Sequence, residues 1–119
     1  YLSDGFKIGR LFTEYQIHTH IGYRNTCASS CSTAFLGGKY RTMEKNATLM
    51  VHSPYVYKSR NTIECQSRVR ADNLRRYYIG RIGNEDGELL FNRTMKYCSN
   101  KNGWRLNRDA AGLFGLLSK

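Results

Sequence analysis

Proline is almost absent from this chain: Pro54 is the single one in 119 residues. No Pro-rich linker, low-complexity stretch or internal repeat divides it, so one domain over residues 1–119 is expected. No run of about 18 apolar residues occurs, and no transmembrane segment is expected. Acids are also scarce, 9 against 19 Lys and Arg, for a formal net charge of +10. Such an excess favours solubility and a general attraction to anions. The basic residues are spread along the chain with no nucleic-acid motif beside them, so nucleic acid is not the expected partner. The start lacks a basic-apolar-small leader, and the chain opens on Tyr1 with residues that already read as structure. A leader and one or two early strands are expected to have preceded it. A hydrophobic content of 40% with 13% aromatics marks a folded protein.

Cys27, Cys31, Cys65 and Cys98 are the four cysteines. A structural zinc site usually shows two close pairs. Only Cys27 and Cys31 are close here, so no such site is expected. Disulfides in an oxidising compartment fit better, with three pairings open to four cysteines. The reading leans to Cys27–Cys31 with Cys65–Cys98, free buried thiols being the plain alternative. The local bridge requires a tight turn or the first turn of a helix, because an extended strand holds its Cα atoms too far apart.

Around residues 9–17, Leu11, Phe12 and Tyr15 have helical spacing, with Ile8 just before them. Residues 18–24 alternate weakly and suit a short strand. From 30 to 36 small and apolar residues run together until Gly37-Gly38 stops them, as a helix end would. Residues 48–52 are a short apolar run that suits a buried strand, closed by Ser53-Pro54. Residues 63–79 are the longest helical candidate, with Ala71, Leu74 and Tyr78 as the apolar stripe. Arg68, Asp72, Arg75 and Arg76 lie on another face, Asp72 standing four residues from both Arg68 and Arg76. Residues 84–87 read as a turn. Leu106-Asn107 opens a last short helix with Asp109 in its first turn and Gly115 at its end. The order helix, strand, helix, strand, helix predicts an α/β domain with crossover connections.

Chemistry concentrates at Cys27-Ala28-Ser29-Ser30-Cys31, where small residues crowd a serine as a strand turns into a helix. A sharp turn exposes a hydroxyl, and N–H groups at a helix start can face a developing oxyanion. A serine needs a base from elsewhere in the fold, and His52, ending a short buried strand, is placed as one. The plainer account is that Ser-Ser at a helix start is an N-cap and a strand-end histidine is structural. His18 and His20 alternate on one strand face. No carboxylate is spaced to complete a metal site with them, so they read as surface residues.

The run from Cys27 through Gly38, then Arg41, then Ala47-Thr48-Leu49-Met50-Val51-His52-Ser53-Pro54, resembles the Clp protease proteolytic-subunit superfamily, within the wider crotonase-like group. It is most similar to that superfamily's periplasmic Clp-like branch. There an Ala-Ser motif opens the helix that carries the nucleophile. A strand ending in the catalytic His and a Pro follows about two dozen residues later, as from Ser29 to His52. Leu2-Ser3-Asp4-Gly5 followed by Gly9 resembles the glycine-rich turn that supplies an oxyanion donor. Arg105-Leu106-Asn107, Ala111 and Gly115-Leu116 resemble the family's closing pattern.

The resemblance implies an α/β spiral of strand-strand-helix crossover units lacking its first strands. It implies a serine peptidase working through an acyl-enzyme on Ser29, with His52 as general base and Gly5 and Ser30 N–H groups as the oxyanion hole. A peptide or protein substrate, a homo-oligomer, no metal or organic cofactor, and a periplasmic or secreted location are implied too. Two departures stand out. Asp4-Gly5 replaces Pro-Gly-Gly, and the family's third catalytic residue, an Asp, has no acidic counterpart. Gly103 falls at its place with Asn102 beside it, so Asn102 is the candidate to hold the imidazole. The competing expectation is a catalytically degenerate binding or assembly module on the same scaffold.

Overall fold

The computed structural model describes residues 2–98 and 103–118. In chain order the elements are α1 (Leu2–Glu14), β1 (Thr19–Ile21), β2 (Thr26–Ala28), α2 (Ser30–Phe35), β3 (Arg41–Met43) and β4 (Thr48–Val51). Then come β5 (Tyr55–Ser59), β6 (Thr62–Cys65), α3 (Asp72–Ile82), α4 (Asn84–Thr94), β7 (Trp104–Leu106) and α5 (Arg108–Leu113). They fall into two compact units, residues 1–50 with 105–119, and residues 51–104.

In the first unit α1 turns Gly5, Phe6 and Gly9 inward. Two of these three residues are glycine, so apolar periodicity registers the helix late, and the sequence predicts a glycine-rich turn where the first helical turn lies. The glycines are there for close packing. A Cβ on Gly5 would stand 2.8 Å from the Ser30 carbonyl and 3.0 Å from Thr33 Cβ. The helix ends at Gln16 in the left-handed region (φ 55°). Ile17 N–H reaches back to the Phe12 carbonyl at 2.8 Å, closing the C-terminus in the six-to-one pattern.

β1 and β3 pair in parallel with Thr19 opposite Arg41. β2 and β4 pair in parallel with Thr26 opposite Thr48 and Ala28 opposite Met50; their sheet has the order β2-β4-β7. Parallel neighbours require crossovers, and α2 provides the one between β2 and β4. Leu36, Leu49, Leu106, Ala111 and Leu116 are buried at this unit's core. Arg41, part of the resemblance, ties the chain together: its Nε donates to the Leu116 carbonyl (2.7 Å) and its Nη1 to the Gly38 carbonyl (3.2 Å). Asn107 caps α5, its side chain accepting from Ala110 N–H at 2.9 Å, as expected.

The second unit corrects two expectations. Residues 63–79 are not one helix: β6 forms an antiparallel hairpin with β5, Ile63 opposite Tyr57, and α3 begins only at Asp72. The stripe of Ala71, Leu74 and Tyr78 is real and buried, but Thr62 and Ile63 are β-branched and suit a strand. Cys65 is bridged to Cys98. Asp72 pairs with Arg76 (3.1 Å) and Arg75 (3.4 Å), whereas Arg68, ahead of the helix, donates to Asn92 Oδ1 at 2.6 Å. Residues 84–87 are the first turn of α4, not a turn. Glu85 and Asp86 there suit the positive end of the helix dipole. Gly83, at φ 96° and ψ 166°, makes the break between α3 and α4.

Tyr78 is buried, and that burial pushes its phenol up to about 12, because ionisation would place a charge in apolar surroundings. The folded state holds this proton more tightly than the unfolded chain. The associated stability is complete below about pH 10 and is lost as pH rises towards 12. Tyr78→Phe is expected to abolish that alkaline loss, roughly 2 kcal/mol between pH 9 and pH 11.5, measured as the difference between urea unfolding free energies at those two pH values.

Candidate active site

Ser29 sits at the junction of β2 and α2 with φ 60° and ψ −122°. That pair lies outside the regions ordinarily open to an L side chain and costs of order 1–3 kcal/mol. Both of its backbone groups are engaged. Its N–H donates to the Met50 carbonyl at 3.1 Å, carrying the β2–β4 ladder one residue further. Its carbonyl accepts from Ser32 N–H (3.0 Å), Thr33 N–H (3.3 Å) and Ser32 Oγ (2.5 Å). The chain therefore leaves the strand and enters the helix within one residue. Ser29 occupies the N-cap position, yet its side chain makes no capping hydrogen bond. The N-cap account of the Ser-Ser pair does not hold for Ser29, and a strained strand-to-helix turn of this kind presents a serine hydroxyl outward.

Cys27 and Cys31 are disulfide-bonded with Cα atoms 5.2 Å apart, and Cys65 is bonded to Cys98. Both pairings match the expectation. The local bridge joins β2 to the first turn of α2, as a short separation requires, and it encloses Ser29 and Ser30.

His52 lies in the second unit, one residue beyond the end of β4. Its Nδ1 is 2.9 Å from the Ser53 carbonyl, which places the proton on Nδ1 and leaves Nε2 with its lone pair. Nε2 is buried and has no hydrogen-bond partner among the described residues. Ser53, buried itself, donates its N–H to the Tyr97 carbonyl. The Tyr55 ring stands 5.6 Å from the imidazole at 36°. Neither the Ser53 carbonyl nor Tyr55 was legible as a site group, since a backbone acceptor and one tyrosine among nine leave no mark in a single sequence.

Gly5 is in the first turn of α1, beside the Ser30 backbone, where its missing side chain lets α2 approach. Ser30 is the first residue of α2. Asn102 lies outside the described residues. His20 Nδ1 is 2.7 Å from Thr42 Oγ1 and its Nε2 3.3 Å from Glu44, whereas the His18 ring meets Tyr40 edge-on at 4.7 Å. The two histidines thus have separate partners, and no cluster of three metal-ligating side chains occurs among the described residues.

An open groove of about 800 Å³ runs along the first unit, with Ile8, Phe12, Ile21, Thr26, Ser30 and Cys31 among its walls. Ser29 itself is not a wall residue, but both neighbours on its helical side are. β2 is an edge strand of its described sheet. The Asn25 carbonyl accepts from Thr48 N–H and Ser29 N–H donates to the Met50 carbonyl, so at either end of β2 the chain bonds to β4 through alternate residues, and the backbone groups of Thr26 and Ala28 point the other way.

No family model matches the sequence, and no curated protein matches it. Solved structures do. A membrane-bound stomatin-specific protease, solved as a serine-to-alanine mutant, matches with a TM-score of 0.71 at 14% identity, over 98% of this chain and 56% of that one. A crystal structure of an enzyme matches with a TM-score of 0.68 at 17% identity, over 99% of this chain and 64% of that one. The chain thus spans less than two thirds of either. Identities this low establish the architecture alone: the chain shares the α/β fold of these two solved structures.

Proposed function

We propose that this chain is a serine hydrolase, and specifically a peptidase, that acts through an acyl-enzyme on Ser29 with His52 as general base. The observation that carries the proposal is the backbone of Ser29: φ 60° and ψ −122° at a strand-to-helix turn, with a hydroxyl that does not cap the helix. Strain at a single uncapped serine has no structural benefit of its own and is characteristic of functional positions. The Nε2 of His52, which has no partner among the described residues, supports the second role.

In the proposed reaction Nε2 takes the Ser29 proton as Oγ attacks a carbonyl carbon. The tetrahedral oxyanion is met by Ser30 N–H, on the residue after the nucleophile. The imidazolium then protonates the leaving amine, and the acyl group departs by hydrolysis. Gly5 in α1 serves packing, so Ser30 is the donor assigned here. An extended peptide would lie along the free edge of β2 and bond to the backbone of Thr26 and Ala28. The named neighbour is a protease, which favours peptides over esters. The two disulfides favour a secreted or periplasmic location. A homo-oligomer is proposed from the resemblance; no described helix is long and apolar enough to cross a membrane.

Labelling by a fluorophosphonate probe tests this. Wild type and Ser30→Ala are expected to label, and Ser29→Ala to show none. Labelling that persists in Ser29→Ala would assign the wrong nucleophile. A folded wild-type protein that takes up no probe would leave the scaffold as a binding or assembly module.

A further inference from the structure

We infer that the Cys27–Cys31 disulfide positions the nucleophile, so that opening it withdraws Ser29 and switches the site off; this rests on the hydrolase reading above. The bridge spans the strand-to-helix turn and closes a five-residue ring around Ser29 and Ser30. On the strand side the ring is anchored by Cys27, which is buried at 4% exposure and paired with Leu49 in the β2–β4 ladder. On the helix side it is anchored by Cys31 in the first turn of α2. Strained dihedrals persist only where the surroundings over-determine them. Here the covalent link forces the chain to turn between two fixed ends.

Without the link, the ordinary solution for a serine before a helix becomes available. Its backbone relaxes to extended N-cap dihedrals, and its Oγ accepts a hydrogen bond from the second or third helical N–H. The same hydroxyl cannot be both a cap and a nucleophile, so the oxidised turn presents it and the reduced turn buries it in the cap.

Access to the bridge is one-sided. Cys31 is exposed and Cys27 buried, so an incoming thiolate meets Cys31 Sγ. A dithiol supplies the electrons. Its thiolate bonds to Cys31 Sγ, and Cys27 leaves as thiolate and takes a proton. The reagent's second thiol then displaces Cys31 as its own disulfide closes. Two electrons and two protons pass to the protein.

The test uses fluorophosphonate labelling of Ser29, read by mass spectrometry, with far-UV circular dichroism to report the fold. Cys27→Ser/Cys31→Ser keeps Cys65–Cys98 and is expected to label at least tenfold more slowly than wild type, with an unchanged spectrum and no further response to dithiothreitol. Wild type is expected to lose labelling as Cys27 and Cys31 become open to alkylation, and to regain it on reoxidation. Labelling within twofold of wild type, in the folded variant or in wild type with both thiols alkylated, overturns the inference. If the variant does not fold, graded reduction of wild type decides: activity falling ahead of the spectrum supports a positioning role, and the two falling together refute it. Absent labelling in the oxidised, folded wild type would instead refute the hydrolase reading itself.

Discussion

Replacing His52 by alanine is expected to slow acylation of Ser29 by about 10²–10⁴, the range supplied by a positioned general base. The serine hydroxyl is a weak nucleophile until its proton has somewhere to go. In the proposed mechanism His52 receives it. The Ser53 carbonyl engages Nδ1 at 2.9 Å and Nε2 has no partner among the described residues, so the imidazole is in the tautomer that accepts. Holding that tautomer is the role of the Asp in a Ser-His-Asp triad. In the proposed mechanism a backbone carbonyl fills it without charge, so the reading does not require an acidic residue beside Gly103. The rate constant for fluorophosphonate labelling, with circular dichroism to confirm the fold, measures the effect. A loss below threefold in a folded variant would remove His52 from the mechanism. Asn102→Ala separates the two ways of orienting the ring. With the Ser53 carbonyl sufficient, the rate should change less than tenfold; with Asn102 as the third member, the loss should approach that of His52→Ala.

Much of the first unit was legible because its elements are coded by short-range chemistry. The run from Ser30 to Leu36 is small and apolar and stops at paired glycines, and α2 spans Ser30–Phe35 with Leu36 as its C-cap. The apolar run before His52 became β4, and Asn107 capped the last helix. What failed did so where tertiary contact overrode local pattern. Residues 63–71 carry helix-compatible side chains, but β6 is paired to β5 and its last residue, Cys65, is bridged to Cys98, a constraint set thirty-three residues away. Gly87 suggested a turn because glycine usually breaks helices. It instead lies where α4 meets α3, a Cβ there standing 2.6 Å from Ile79 Cα. The site shows the same division. Residue types and spacing singled out Ser29 and His52, whereas the dihedrals of Ser29 and the tautomer of His52 are properties of the folded backbone.

Gly37→Ala and Gly80→Ala are expected to move stability in opposite directions, although both replace glycine by the best helix former. An added Cβ at Gly37 would collide with the backbone of Gly9, standing 2.5 Å from its Cα. Thr13 Oγ1 ties the same crossing together, donating to the Gly37 carbonyl at 2.9 Å and the Gly9 carbonyl at 3.0 Å. The obstacle is backbone on both sides, so no rotamer change relieves it and α1 must move off α2. Overpacking of this kind costs about 1–3 kcal/mol and occasionally more, and Gly37→Ala should fall at or above the top of that range. Gly80 lies within α3 with nothing within 4 Å of its added Cβ. Removing its conformational freedom in the unfolded chain should stabilise by roughly 0.4–1 kcal/mol. Urea denaturation at neutral pH measures both. Equal and small effects would mean that the α1–α2 crossing yields easily. A large loss at Gly37 alone would show that the end of α2, the helix that follows Ser29, is held against α1 by backbone contact between Gly37 and Gly9.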